Sequence, residues 1–101
     1  MGASGIEIKD CGRLHLSADE QLTLMRDSGA EYDLVAKSWG FYATPSVNGR
    51  LVDFGLRTAI VRHLVSGRIY VLIVERGHEA DFQEYLDGEQ MIVDFWLDVY
   101  H

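Results

Sequence analysis

Two runs dense in β-branched and aromatic residues, 56–64 (LRTAIVRHL) and 68–75 (RIYVLIVE), stand either side of Val65-Ser66-Gly67. No other stretch constrains the fold as strongly. Val, Ile and Tyr suit the pleated surface of a strand and Ser-Gly marks a turn, so the region of about 56–75 predicts a β-hairpin. With Ser66 and Gly67 at its tip, Val65 faces Arg68, His63 faces Tyr70, Val61 faces Leu72 and Ala59 faces Val74. The opposite face carries Thr58, Ile60, Arg62, Ile69, Val71 and Ile73. Both faces are largely apolar, the pattern of central strands covered on two sides. Helices would supply one cover and a second subunit the other.

The remaining chain predicts what packs on that hairpin. Ile6 and Ile8 alternate with charged residues before Cys11-Gly12, and Leu14 and Leu16 alternate after it, which predicts a small hairpin. Ser17 and Glu20 have the spacing of a capping box, and Gly29 is a stop signal, so 17–29 reads as a helix with Ala18, Leu22 and Met25 inward. The aromatic stretch 32–44 suggests a short helical turn and then an extended segment, with Thr44 held out of helical geometry by Pro45. Asn48-Gly49 is a tight-turn signal that makes 46–52 a short hairpin. Residues 79–87 read as a helix with Phe82, Tyr85 and Leu86 inward, ended by Asp87-Gly88. For 89–100 the recurrence of Gln90, Asp94 and Asp98 favours a helix, whereas the β-branched and aromatic content favours a strand; the polar stripe tips the reading to helix. The expectation is an α+β fold, a small antiparallel sheet packed by two or three helices.

A chain of 101 residues that is 48% hydrophobic has enough apolar surface for one core, so 1–101 is expected to form a single domain. Its one cysteine, Cys11, excludes an internal disulfide framework and a multi-cysteine zinc site, and no base lies near it in sequence. No apolar run approaches the roughly 20 residues that span a bilayer, and the first residues lack the apolar stretch of a secretory signal. A cytoplasmic protein with no membrane partner, no metal and no cofactor is expected.

The net charge of −7 is unevenly spread. Between 46 and 78 five arginines (Arg50, Arg57, Arg62, Arg68, Arg76) face two acids, Asp53 and Glu75, while from Glu79 onward there are seven acids and no Lys or Arg. An acidic chain is a poor partner for phosphate backbones, so direct nucleic-acid binding is not expected. The arginines either bridge to the acidic C-terminal segment or build an anion pocket on the sheet.

The segment 39–50 (WGFYATPSVNGR) is the candidate ligand site. It gathers Tyr42, Thr44, Ser46, Asn48 and Arg50 beside the aromatic Trp39, with Arg57 nearby in sequence, and pockets combine apolar walls with a few convergent polar groups. The same residues equally describe a turn-rich connection whose hydroxyls satisfy local backbone. Ala43-Thr44-Pro45-Ser46 followed by Val47-Asn48-Gly49-Arg50 resembles the proline loop of thioredoxin-fold proteins, and Met91-Ile92-Val93-Asp94-Phe95-Trp96 resembles a core strand of that fold. The pieces occur in the wrong order, one residue separates Ser46 from Asn48, and there is no CxxC, so membership is rejected.

Nucleophile-elbow, phosphate-loop, zincin and dinucleotide motifs are absent from the sequence. His63 and Tyr42 are the weak candidates for acid–base work. The expected function is therefore a small non-catalytic protein–protein interaction or regulatory module, with a homodimer as one form of it. The alternative is a small-molecule binding protein or small enzyme acting on an anionic metabolite through the basic, hydroxyl-rich region 39–68. An acidic inhibitor that mimics nucleic acid is the third reading.

Overall fold

Strands dominate the chain. The computed structural model describes residues 7–99, and in it β1 (Gln21–Met25), β2 (Glu31–Lys37) and β3 (Gly40–Ala43) form one antiparallel sheet in that order. A second antiparallel sheet has the order β5-β4-β6, from β4 (Leu56–His63), β5 (Ile69–Glu75) and β6 (Met91–Trp96). Two helices accompany them among the described residues, the four-residue α1 (Arg50–Asp53) and α2 (Glu79–Glu89), and a 3-10 turn follows at Leu97–Val99. The α+β expectation of one sheet packed by two or three helices is thus corrected to a mostly β fold with two three-stranded sheets.

The largest correction falls on 17–29. Half of the capping box is real, since the Ser17 N–H donates to Glu20 Oε1 at 2.7 Å. Asp19 then turns the chain with a left-handed φ of 71°, a conformation Asp tolerates. The Asp19 N–H donates to the Ala36 carbonyl, and the Ala36 N–H to the Glu20 carbonyl. These bonds start the pairing of β1 with β2, which continues from Gln21 opposite Val35 to Met25 opposite Glu31. Leu22 and Leu24 alternate with Thr23, so the stretch carries a period of two as well as a helical one, and the ladder decides between them. Of the first predicted hairpin, Ile6 lies outside the described residues and 7–16 form no strand.

The central hairpin forms, but its pairing is offset by two residues from the expected one. Val61 lies opposite Tyr70, Ala59 opposite Leu72 and Arg57 opposite Val74. An offset of two preserves which residues share a face. The strand stops at His63 because the chain beyond it bonds elsewhere: the Leu64 N–H donates to the Gln90 carbonyl, and the Ser66 N–H donates to His63 Nδ1 at 3.0 Å.

Residues 46–52 form no hairpin; Asn48 and Gly49 sit in a turn that leads into α1. The helix expected at 79–87 is present and two residues longer, ended by Gln90 in the left-handed region at φ 57°. The segment 89–100 is corrected from helix to strand β6 and the 3-10 turn. Its polar stripe has a different cause. Ile60 pairs with Phe95 and Val61 with Val93, leaving Asp94 in a bulge, and the bulge aims Asp94 at Arg62, whose Nε and Nη2 donate to it at 3.1 and 3.2 Å.

Two buried clusters hold these pieces together. Leu86 of α2 packs on Ala59 and Val61 of β4, flanked by Leu72, Phe82, Met91, Val93 and Trp96. Leu51 of α1 packs with Ala30 and Leu56, flanked by Tyr32 and Phe54, and so joins the first sheet to the second. α2 covers one face of the second sheet, and on the other the Leu56–Thr58 end is buried, Leu56 by the Leu51 cluster. The expected cover is missing over the rest of that face among the described residues, where Ile69, Val71 and Ile73 of β5 are 63%, 59% and 38% exposed.

Candidate functional site

The predicted site residues separate into three places. Arg50, Thr44 and Ser46 meet at the start of α1: Arg50 Nη2 donates to Thr44 Oγ1 at 2.8 Å, and the Arg50 N–H donates to Ser46 Oγ at 3.0 Å. Arg50 reaches from there to a residue that sequence reasoning did not single out. Asp33 of β2 is buried, accepts from Thr23 Oγ1 at 2.7 Å, and lies 3.4 Å from Arg50 Nη2. A carboxylate between Tyr32 and Leu34-Val35-Ala36 was the available signal, because a buried charge needs a partner. Trp39 stands exposed in the β2–β3 turn, at the other end of β3 from Thr44 and about 15 Å away by the rise of a strand. Tyr42 is half-exposed on β3, and Asn48 lies in the turn before α1.

Arg57 belongs to the second sheet. Its Nε and Nη2 donate to Asp98 at 2.9 and 3.2 Å, and its guanidinium lies 4.1 Å from the Trp96 ring centroid. Arg57 and Arg62 thus both bridge to acids of the C-terminal segment, as one of the two sequence readings had it. His63 has its Nδ1 engaged by the backbone N–H and the hydroxyl of Ser66, which places the ring in the hairpin turn.

Two features outside the predicted set are better formed. The first is the uncovered face of the β5-β4-β6 sheet, where Ile69, Val71 and Ile73 continue across Ile60 to Ile92 and Phe95, 38% and 44% exposed, around the Arg62–Asp94 pair. The second is a cleft of about 400 Å³ at the outer edge of β5, between the first sheet and the start of α2. Leu24, Tyr32, Leu56, Ile73, Val74 and Phe82 wall it, and Arg26, Glu75, His78 and Asp81 stand around it.

Glu75 stands at the cleft beside Arg26. The Arg26 guanidinium donating to its carboxylate, helped by the Ser28 hydroxyl, holds its pKa below the ordinary carboxylate range. A lowered folded-state pKa contributes stability that is fully present above the ordinary glutamate value of about 4.3 and is lost as pH falls through the folded value. Wild type and Glu75→Gln are therefore expected to differ most in melting temperature near pH 7 and to converge as the pH falls through the lowered folded value. A gap that stays constant over that range would remove the electrostatic role of the pair.

Among the described residues no cluster of three or more His, Cys, Asp or Glu has a metal-binding arrangement, and no helix is long and apolar enough to cross a membrane. The molecule is thus a small two-sheet, mostly β protein whose second sheet has one bare apolar face. Comparison with protein families, curated proteins and solved structures finds no match.

Proposed function

We propose that this chain is a small non-catalytic protein–protein interaction module whose contact surface is the uncovered face of the β5-β4-β6 sheet. The observation that carries the reading is the run of exposed apolar side chains on that face, Ile69, Val71 and Ile73 with Ile92 and Phe95. Scattered exposed apolar residues are ordinary, whereas a contiguous patch rimmed by polar groups marks a contact site. The face offers apolar area and one ion pair, Arg62 with Asp94, which sets orientation at a protein interface rather than moving protons. The metabolite reading needs several convergent free guanidiniums, and of the arginines in 39–68 Arg50, Arg57 and Arg62 each already have a carboxylate, which leaves Arg68 by itself.

Site-specific photo-cross-linking in cells tests the proposal. A cross-linking amino acid at Ile92, on the bare face, is expected to trap a discrete protein, and the same group at Glu84, on the solvent side of α2, is not. Equal adducts at both positions, or none at Ile92, would end the reading.

A further inference from the structure

Sheet edges attract other strands unless something blunts them, and the two edges of the second sheet are treated differently. β6 carries Asp94 in its bulge. β5 has no charge, proline or bulge between Ile69 and Val74. The direction of its backbone groups follows from two bonds that flank it: the His63 N–H donates to the Arg68 carbonyl, and the Arg76 N–H donates to the Gly55 carbonyl. In an antiparallel pair, bonded and non-bonded positions alternate. The even-numbered residues Tyr70, Leu72 and Val74 therefore bond to β4, and Ile69, Val71 and Ile73 direct their N–H and C=O groups outward. At Glu75 that edge meets the first sheet, through Arg26. The free stretch runs from Ile69 to Ile73 and Val71 is its midpoint.

We propose that β5 pairs with β5 of a second copy of this chain, antiparallel and centred on Val71, to make one continuous six-stranded sheet. Val71 then faces Val71, and Ile69 faces Ile73 in both directions, so that the outward groups of each copy form about six main-chain hydrogen bonds. Two further features fit this register. Gly67 of the second copy comes opposite Glu75, where the lack of a side chain leaves room for the Arg26–Glu75 pair. Arg68 of the second copy comes opposite Val74, on the face that α2 covers, beside Asp81. Within one chain the Arg68 guanidinium has no carboxylate partner among the described residues, and Asp81 is 82% exposed with a 3.5 Å contact to His78. The dimer unites these two charges, and a closed two-fold pairing removes the exposed edge. It does not cover Ile92 or Phe95, 38% and 44% exposed, so it goes beyond the interaction reading and does not depend on it.

The test uses the full chain. Sedimentation of the wild type at high micromolar concentration is expected to give a dimer, and Val71→Lys, which sets two like charges opposite each other at the centre, a monomer with an unchanged circular dichroism spectrum. In a Cys11→Ser background, Val71→Cys is expected to form an intermolecular disulfide at least tenfold faster than Ile92→Cys, because facing positions in such a pair lie within disulfide range. A monomeric wild type, or a folded Val71→Lys that stays dimeric, would overturn the proposal. Equal cross-linking rates at the two positions would overturn it too, since face-to-face association explains them better. A monomer result leaves the face and its photo-cross-linking outcome untouched.

Discussion

Leu51→Ala is expected to cost about 2–5 kcal/mol, the range for removing a fully buried leucine and leaving a cavity. Leu51 has no exposed surface and sits on α1, a helix of four residues that is too short to be stable by itself. What holds α1 in place is the wedge its leucine drives between Ala30, just before β2, and Leu56, at the start of β4, with Tyr32 and Phe54 closing the sides. This is the buried cluster that draws on both sheets. For a chain of this size each 1 kcal/mol moves the melting temperature by about 4–8 °C. Thermal and urea unfolding would read the loss, and hydrogen exchange would localise it, with protection falling further in β1–β3 than in β4 and β5. A cost under about 1 kcal/mol would mean that the sheets are joined by something other than this cluster.

Leu86→Ala is expected to be as costly, about 2–5 kcal/mol, and for a related reason. α2 is anchored on the sheet by Leu86, buried against Ala59 and Val61, and by Phe82, whose ring lies 5.8 Å from that of Trp96. Losing Leu86 halves that anchorage. The readout is loss of far-ultraviolet helical signal together with the near-ultraviolet signal of Trp96. Tyr85→Ala, one position away and 40% exposed, is the control and is expected to cost less than about 1 kcal/mol. Equal costs at 85 and 86 would put the wrong side of α2 against the sheet.

The hairpin of β4 and β5 and the helix α2 were legible in the sequence because local chemistry and final structure agree there. β-branched residues on both sides of Ser66-Gly67 favour strands, and the inward spacing of Phe82 and Leu86 is helical. The stretch 17–29 was misread because its capping box is a true local signal: Ser17 and Glu20 do bond, yet Asp19 bends the chain into a ladder with the next strand, from Gln21 opposite Val35 to Met25 opposite Glu31. Gln90, Asp94 and Asp98 looked like one side of a helix because spacing cannot express a bulge, and the bulge exists only through the pairing of β6 with β4. The candidate site followed the same division. Thr44, Ser46 and Arg50 are close in sequence and meet, but the acid that Arg50 reaches, Asp33, comes from β2.

By itself, then, the amino-acid order determined the elements whose local signals agree with the final pairing, the hairpin of β4 and β5 and the helix α2, and the sign of the charge along the chain. Which strands share a sheet, how far the central pairing is offset, which acid each arginine finds and which face of β5 stays bare were decided by the tertiary structure. These outcomes depend on contacts between distant segments, such as Leu51 with Ala30 and Arg62 with Asp94, whose free energy appears only once both segments are in place.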